Sequence, residues 1–187
     1  VNAWTEVAET PAPDVNGVVD VYSAQQLAGV MANTAGIKVI NIKEDIDLNG
    51  RSWAPAYVSA PDLVINGNGH TISNMTTNGK DYQGFIGVAY QNLTINDLTF
   101  EKATVNANKS FTGGIIGWAW GNADITFNNV DVIDSEVSTT LGNKAIRVGA
   151  LIGFFPYDGG NLTLKDCDVT GSTVTGYHNV GAMVGTT

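Results

Sequence analysis

The strongest constraint on the fold of this chain is an internal repeat that is written four times along the sequence. Each copy opens on a strand-like motif, and the four motifs start at Leu63, Leu93, Ile125 and Leu162, at offsets of 30, 32 and 37 residues. A box of two apolar residues closed by glycine follows each motif, at 84–87, 114–117, 150–153 and 182–185. Between motif and box, a further apolar segment occupies 103–105, 135–137 and 172–174. Three strand-like segments per repeat predict a coil with three sides.

These segments are short, rich in Val, Ile and Thr, and bounded by Gly, Asn and Asp, which is typical of half-buried strands and their turns. One repeat does not bury its own apolar face, but stacked repeats do, because each strand pairs with its counterpart about 4.8 Å away. The sequence therefore predicts an all-β fold, a parallel β-helix of about five coils with three strands per coil. We expect a right-handed coil, the usual sense of crossovers between parallel strands.

The chain is expected to form one domain over 1–187, with an N-terminal segment at 1–36 and coils at 37–187. Ser23 followed by Gln26 is typical of a capping box, and Asn33–Gly36 supplies a helix end. These signals predict a short helix that covers the exposed strands of the first coil. The last glycine box is followed directly by the end of the chain, so we expect a fragment of a longer protein.

Residues that favour turns recur at one corner of the predicted coil. The corner residues are Gly67, Asp97, Asn129 and Asp166, and the residues next to them in the strand motif include Asn66, Asn96 and Asn128. Stacked coils would arrange both sets in columns, which we interpret as structural rather than catalytic. We also expect His70 to close a turn and Cys167 to lie in the core.

Composition excludes several classes of function. The chain carries 9 Lys+Arg against 18 Asp+Glu and a net charge of −9, so nucleic acid and anionic membrane surfaces are poor partners. Its apolar runs are much shorter than the roughly 18 residues that a spanning helix needs, so we expect no transmembrane segment. The single cysteine, Cys167, allows no internal disulfide.

Three features of the sequence resemble the GLUG-motif proteins that Bacteroidetes secrete or display on their surface. These features are the run 45–55, the segment 65–75 with its Asn-Gly-Asn-Gly-His turn, and the glycine boxes that follow. The third and fourth boxes begin with Ala150 and Ala182 where glycine is usual. The resemblance implies an exported, often lipid-anchored surface protein of the adhesin type, and it offers no catalytic residue.

Aromatic residues cluster after two successive glycine boxes, and they are the candidate ligand-binding residues: Trp118, Trp120, Phe154, Phe155 and Tyr157. On adjacent coils these rings would stack at one corner. If the corner is exposed, its flat faces suit sugar rings or a protein partner. If a loop covers it, the corner is only a small additional core, and strict strand alternation does not decide between the two.

A second candidate site is acidic. Asp131 and Asp134 could share a surface with Asp166 and Asp168 of the next coil and bind Ca²⁺. The alternative is an acidic face exposed to solvent. A polysaccharide lyase also needs a base, and neither of the two arginines, Arg51 and Arg147, falls in the strand motif beside these acids.

The main functional prediction is a non-enzymatic binding or adhesion module on a bacterial surface, which recognises a glycan or a host protein. No cofactor is expected, apart from the Ca²⁺ that the acidic residues could bind. Two alternatives stay open: a carbohydrate-active β-helix enzyme that works through the acidic face, and a spacer that positions a neighbouring domain.

Overall fold

A computed structural model of the chain describes residues 2–109, 111–140, 147–156 and 158–186. It contains one α-helix, α1 (Ala24–Ala32), and a 3-10 turn at Trp4–Val7 in this part of the chain. The strands in chain order are β1 (Val18–Val21), β2 (Val39–Ile42), β3 (Ile46–Asp47), β4 (Ala56–Val58), β5 (Leu63–Asn66), β6 (Thr71–Ser73), β7 (Thr76–Gly79), β8 (Ile86–Ala89), β9 (Leu93–Glu101), β10 (Thr104–Ala107), β11 (Thr112–Gly113), β12 (Ile116–Ala119), β13 (Ile125–Ile133), β14 (Glu136–Thr139), β15 (Val148–Gly149), β16 (Ile152–Phe154), β17 (Leu162–Lys165), β18 (Val169–Thr170), β19 (Thr173–Thr175), β20 (Val180–Gly181) and β21 (Val184–Thr186).

The strands form three broad parallel sheets, one on each side of a coil. The first sheet has the order β1-β2-β5-β9-β13-β17 and is continued by β3, β6 and β18. The second sheet is β7-β10-β14-β19, and the third is β4-β8-β12-β16-β21. A ladder of two-residue strands, β11-β15-β20, adds a corner that the sequence did not predict. The predicted parallel β-helix is confirmed, while the hand of its coil stays a prediction.

The register follows the repeat offsets of the sequence. Leu63 pairs with Leu93, Leu93 with Ile125, and Ile125 with Leu162. In the third sheet, Ile116 lies between Ile86 and Ile152. Equivalent positions of the repeat are therefore direct neighbours along the coil axis. Where the repeat keeps a residue type, the same side chains lie next to each other in successive coils.

Alternation within the strands separates the core from the surface. Both β9 and β13 alternate buried and partly exposed residues around one exposed position at the corner. Aromatic rings fill the wide part of the interior, where Phe85 lies 5.2 Å from Trp53 and 5.2 Å from Phe100, measured between ring centroids. The indole N–H of Trp53 donates to the carbonyl oxygen of Phe85 at 2.9 Å. The buried tryptophan is thus both packed and hydrogen-bonded, as a buried indole requires.

The N-terminal helix begins where the capping signal predicts. The Ser23 hydroxyl accepts the backbone N–H of Gln26 at 3.1 Å, and Gln26 Oε1 accepts the backbone N–H of Tyr22 at 2.8 Å instead of that of Ser23. The helix ends at Ala32, Asn33 is its C-cap, and Gly36 follows with a φ of 78°. β1 precedes this helix and pairs with β2, so the first sheet already begins within the segment 1–36.

No helix in the described ranges is long and apolar enough to span a membrane.

The polar columns at the corner are present. Asp97, Asn129 and Asp166 have φ values of 52°, 53° and 52°, the left-handed region that Asn and Asp tolerate best among non-glycine residues. At the equivalent corner, Gly67 lets the next coil approach, because a Cβ there would lie 2.6 Å from that of Leu98. These residues allow the chain to turn at the corner, as the sequence predicts.

A ladder of amides runs beside that corner. The Nδ2 of Asn128 donates to Asn96 Oδ1 at 2.9 Å, Asn96 donates to Asn66 at 3.1 Å, and Asn66 donates to Asn41 at 3.2 Å. Asn41 completes the ladder by donating to the carboxylate of Asp20 at 3.1 Å. We name this set the asparagine ladder. It extends the backbone pairing of the first sheet with a second row of hydrogen bonds.

The last coil is less buried than those before it. Its inward apolar side chains pack on the core from one side only and remain half-buried. These side chains are Leu162, Leu164, Cys167, Val169, Val174, Met183 and Val184. Cys167 therefore points toward the core, as predicted, but it is not enclosed. Burial raises the pKa of its thiol above the usual value, which keeps it protonated at neutral pH.

Candidate functional site

The most prominent group of side chains outside the core is aromatic. We call it the aromatic surface, and it lies on and beside the outer side of the third sheet. Its members are Tyr57, Tyr82, Tyr90, Phe111, Trp118, Trp120 and Phe154. None of these rings belongs to the buried core cluster.

A local bend in β12 places Trp118 in this surface. Ile116 and Ala119 both belong to the core although they are three residues apart, so strict alternation does not hold at Gly117. Gly117 packs tightly against the neighbouring coil, since a Cβ there would lie 2.8 Å from the carbonyl oxygen of Gly87. Trp118 pairs with Val88 on one side and Phe154 on the other; Phe154 is partly exposed like Trp118, whereas Val88 is buried.

Trp118 is the centre of the aromatic surface. Its ring centroid lies 4.4 Å from Trp120, 5.0 Å from Tyr82 and 5.4 Å from Phe111, and it is itself only partly exposed. Its indole N–H is buried and has no hydrogen-bond partner among the described residues. A buried unpaired donor typically costs about 1–3 kcal/mol, a cost that the ring contacts of Trp118 must offset.

The outer layer of the surface is open to solvent. Tyr57 is 54% exposed, Trp120 46% and Tyr90 38%. Tyr90 and Trp120 contact each other, with centroids 5.7 Å apart. The question that the sequence left open is therefore answered: part of the aromatic corner is exposed, and its base is packed.

Charged groups lie at the edge of the aromatic surface. The Arg147 guanidinium lies 4.3 Å above the Phe154 ring and 5.2 Å from that of Phe111, a cation–π arrangement. Lys109 and Asp81 form an exposed ion pair at 3.9 Å. Burial raises the pKa of Tyr57, and the negative charge of Asp81 raises it further. The phenol is thus neutral over the physiological range.

The structure brings together only part of the predicted aromatic site. Trp118, Trp120 and Phe154 belong to the aromatic surface, whereas Phe155 points into the core with 5% of its surface exposed. The prediction for Phe155 is wrong, because the strand bends before it. Tyr157 lies outside the described residues.

Sequence reasoning missed four members of the surface: Tyr57, Tyr82, Tyr90 and Phe111. A signal existed for Tyr90, which follows the box at 84–87 by the same three residues that separate Trp120 from the box at 114–117. Tyr82 and Phe111 precede those boxes, and only the stacking of coils brings them under Trp118.

The four acidic residues of the predicted metal site do not form a cluster. Asp131 Oδ1 accepts the backbone N–H of Asp168 at 3.0 Å, and Asp134 and Asp166 lie at corners with φ values of 48° and 52°. Within the described ranges, no three His, Cys, Asp or Glu side chains are grouped so that they could hold a metal ion. These acids thus shape the backbone at the corners of the coil, and their positions lend no support to a calcium site.

His70 lies at the turn where the sequence predicts it. Its Nδ1 is 3.1 Å from Asp45 Oδ1, and the same oxygen accepts the backbone N–H of Thr71 at 3.0 Å. The Thr71 N–H first, and then His70, lower the pKa of Asp45. This pair joins one coil to the next at an exposed corner.

Comparison with known proteins places this architecture in a family. The family model described as "Putative pectate lyase-like adhesive domain" matches residues 18–139. The chain belongs to this family. The match includes the strands from β1 to β14 and most of the aromatic surface, and it ends before the fourth copy of the repeat. The GLUG relation stays a prediction.

Two individual proteins are similar to this adhesive domain. Over 98 residues the chain is 34% identical to halomucin of Haloquadratum walsbyi, a match that covers 51% of the chain and 1% of halomucin. The chain thus spans a very small part of this relative. A crystal structure titled "putative immunoglobulin A1 protease from Bacteroides ovatus" superposes with a TM-score of 0.59 at 18% identity, covering 95% of this chain and 74% of the other. That likeness shows the fold alone.

Proposed function

We propose that this adhesive domain is a bacterial cell-surface module that binds neutral glycans through its aromatic surface and carries out no chemistry on them. The observation that carries the proposal is the outward set of exposed rings, Tyr57, Tyr90 and Trp120, on a packed aromatic base. Flat, partly apolar ring faces suit the C–H faces of sugar rings, while the phenol hydroxyls remain available for hydrogen bonds.

The rigidity of the surface supports this function. Trp120 rests on Trp118 at 4.4 Å, and Trp118 lies in a paired strand between two other coils. Side chains that are already ordered lose little conformational entropy when a ligand binds. A surface built on a solenoid therefore offers a preformed platform instead of loops that must be ordered.

Charge favours a neutral ligand. The chain carries a net charge of −9, which repels polyanions over most approaches. The cations beside the surface have partners already, since Lys109 faces Asp81 and Arg147 lies over the rings of Phe111 and Phe154. The exposed part of the surface is thus apolar and phenolic.

A non-catalytic role agrees with the family description, which names an adhesive domain. It also agrees with the positions of Asp131, Asp134, Asp166 and Asp168, which do not form a cluster. A glycosidase needs two opposed carboxylates and a lyase needs a base beside its substrate. Asp131 and Asp168 instead contact each other through a backbone N–H. An adhesive function also places the module outside the cell, where its ligand would be a glycan of another cell or of the surrounding matrix.

The test is affinity electrophoresis through gels that contain xylan, mannan or a β-glucan, with polygalacturonate as the anionic polymer. New reducing ends are measured in the same samples. We expect retardation by at least one neutral polymer and no release of ends. Trp120→Ala should weaken the retardation, whereas Tyr22→Ala, which removes a ring that is 52% exposed beside the helix, should leave it unchanged.

Each other outcome contradicts part of the proposal. Release of ends would make the domain an enzyme. Equal retardation of the Trp120→Ala variant and the unmodified protein would exclude the aromatic surface as the binding site. No retardation by any neutral polymer would favour a protein partner or a spacer role.

A further inference from the structure

The exposed rings of the aromatic surface lie on successive coils. The backbone N–H of Tyr90 donates to the carbonyl oxygen of Val58 at 2.9 Å, and that of Trp120 donates to the carbonyl oxygen of Ala89 at 2.8 Å. Each ring therefore stands one strand further along the coil axis than the last, in the order Tyr57, Tyr90, Trp120. Tyr57 is offset along its strand, because it pairs with Val88, two positions before Tyr90. With strands about 4.8 Å apart, the three rings span about 10 Å along the axis.

The track of rings continues past Tyr57 into a cavity. This cavity has a volume of about 230 Å³ and lies between α1, the 3-10 turn and the segment that leads into β4. Its lining includes Trp4, Met31, Trp53, Pro55 and Tyr57, and no residue of the lining carries a charge. Tyr57 is thus shared by the exposed track and the cavity, which joins the two into one continuous feature.

The indoles that line the cavity are held in place. Trp4 Nε1 donates to the carbonyl oxygen of Leu48 at 2.9 Å, and Trp53 Nε1 donates to that of Phe85 at 2.9 Å. Arg51 lies over the Trp4 ring at 5.9 Å. With their N–H groups already engaged, both rings present only apolar surface to the cavity.

We infer that the aromatic surface and this cavity form a single binding track for an extended neutral glycan, which runs along the coil axis and inserts one sugar between Trp4 and Tyr57. This inference rests on the proposed function and specifies its ligand. A linear chain suits rings that stand on successive coils, and an uncharged cavity beyond Tyr57 suits its terminal residue. Recognition should then need about four sugar units, three on the exposed rings and one in the cavity.

Isothermal titration with linear oligosaccharides of one to six units tests the inference, using fragments of whichever polymer retards the protein. We expect each added sugar up to about four to lower Kd by about 2- to 10-fold, the range of a single aromatic contact, with no further gain beyond that length.

Filling the cavity should remove only the part of the binding affinity that comes from the sugar in the cavity. Ala32→Leu adds a side chain at an exposed position of α1 that lines the cavity, and leucine suits a helix. We expect the variant to bind the tetrasaccharide no better than the trisaccharide, with trisaccharide Kd unchanged. Tyr57→Ala, which removes the ring shared by the exposed track and the cavity, should raise the tetrasaccharide Kd by about 4- to 100-fold, the product of two such contacts. Unchanged circular dichroism spectra would show that both variants are folded.

The failures of the two proposals are distinct. If polymers retard the protein through Trp120 but Kd is the same for one sugar and for six, the axial track is wrong and glycan binding stands. If length matters but Ala32→Leu binds the tetrasaccharide like the unmodified protein, the cavity is not part of the track. If no neutral polymer binds at all, both proposals fail.

Discussion

The asparagine ladder predicts a measurable coupling between coils. Asn96 lies in its middle, where it donates to Asn66 at 3.1 Å and accepts from Asn128 at 2.9 Å. Replacing Asn96 with alanine removes both bonds and leaves one carbonyl oxygen and one N–H group without these partners. Each bond contributes about 0.5–1.5 kcal/mol net, and water reaches these half-buried groups, so the free energy of unfolding should fall by about 1–3 kcal/mol.

A double-mutant cycle separates the ladder from other effects of these residues. Asn66→Ala and Asn96→Ala both remove the bond that joins the two side chains, so the double variant should be about 0.5–1.5 kcal/mol more stable than the sum of the single losses predicts. Urea unfolding followed by circular dichroism gives these values, provided that the slope with denaturant is the same in all variants. Asn122→Ala, at an exposed position, is the matched control and should change stability by less than about 0.5 kcal/mol.

Additive losses would refute the reasoning. They would mean that the two amides act independently and that the first sheet is joined by its backbone alone. A changed slope with unchanged midpoint would point to local unfolding of single coils instead, which a solenoid permits because each repeat contacts only its neighbours.

Three further predictions concern the core, the corner and acid stability. Phe100→Ala, which empties a fully buried site beside Phe85, should cost about 3–5 kcal/mol in urea unfolding, and a loss under about 1 kcal/mol would contradict the packing. Gly67→Ala should cost about 1–3 kcal/mol, because its Cβ would lie 2.6 Å from that of Leu98; Gly69→Ala has open space around its Cβ and is strained only by the φ of 78° at that position. Hydrogen bonds lower the pKa of Asp45 and Asp47 below 3.8, so their contribution to stability is present above that pH and is lost as pH falls through the lowered values. Melting temperatures from pH 6 to pH 2 should therefore fall less in the double variant Asp45→Asn, Asp47→Asn, and an equal fall would exclude these carboxylates.

Most of the fold could be predicted from the repeat. Offsets between Leu63, Leu93, Ile125 and Leu162 are the registers of the first sheet, because stacked coils pair equivalent positions. Turn residues such as Asp97 and Asn129 mark the corner by their tolerance of positive φ. Both signals are local and periodic, so a single sequence contains them. β1 was not predicted, because it precedes the helix and has no equivalent in the repeat pattern.

The binding site was only partly predictable. The acids Asp131 and Asp168 are close in sequence pattern, but the Asp131 carboxylate accepts the backbone N–H of Asp168, and the four predicted acids do not form a cluster. Trp118 and Trp120 could be found from their place after a glycine box, but the same rule wrongly included Phe155, which is buried. The rule fails because a strand bend reverses the inward and outward positions.

The coil, its registers and its polar columns follow from the repeat, because each depends on a side-chain period that neighbouring copies share. The exposure of individual rings and the contacts between them do not follow from the repeat. Gly117 bends β12 under contact with the carbonyl oxygens of Gly87 and Gln83, and these atoms belong to another coil. The direction of Trp118, and with it the aromatic surface, therefore depends on packing between segments about 30 residues apart, which no local pattern encodes.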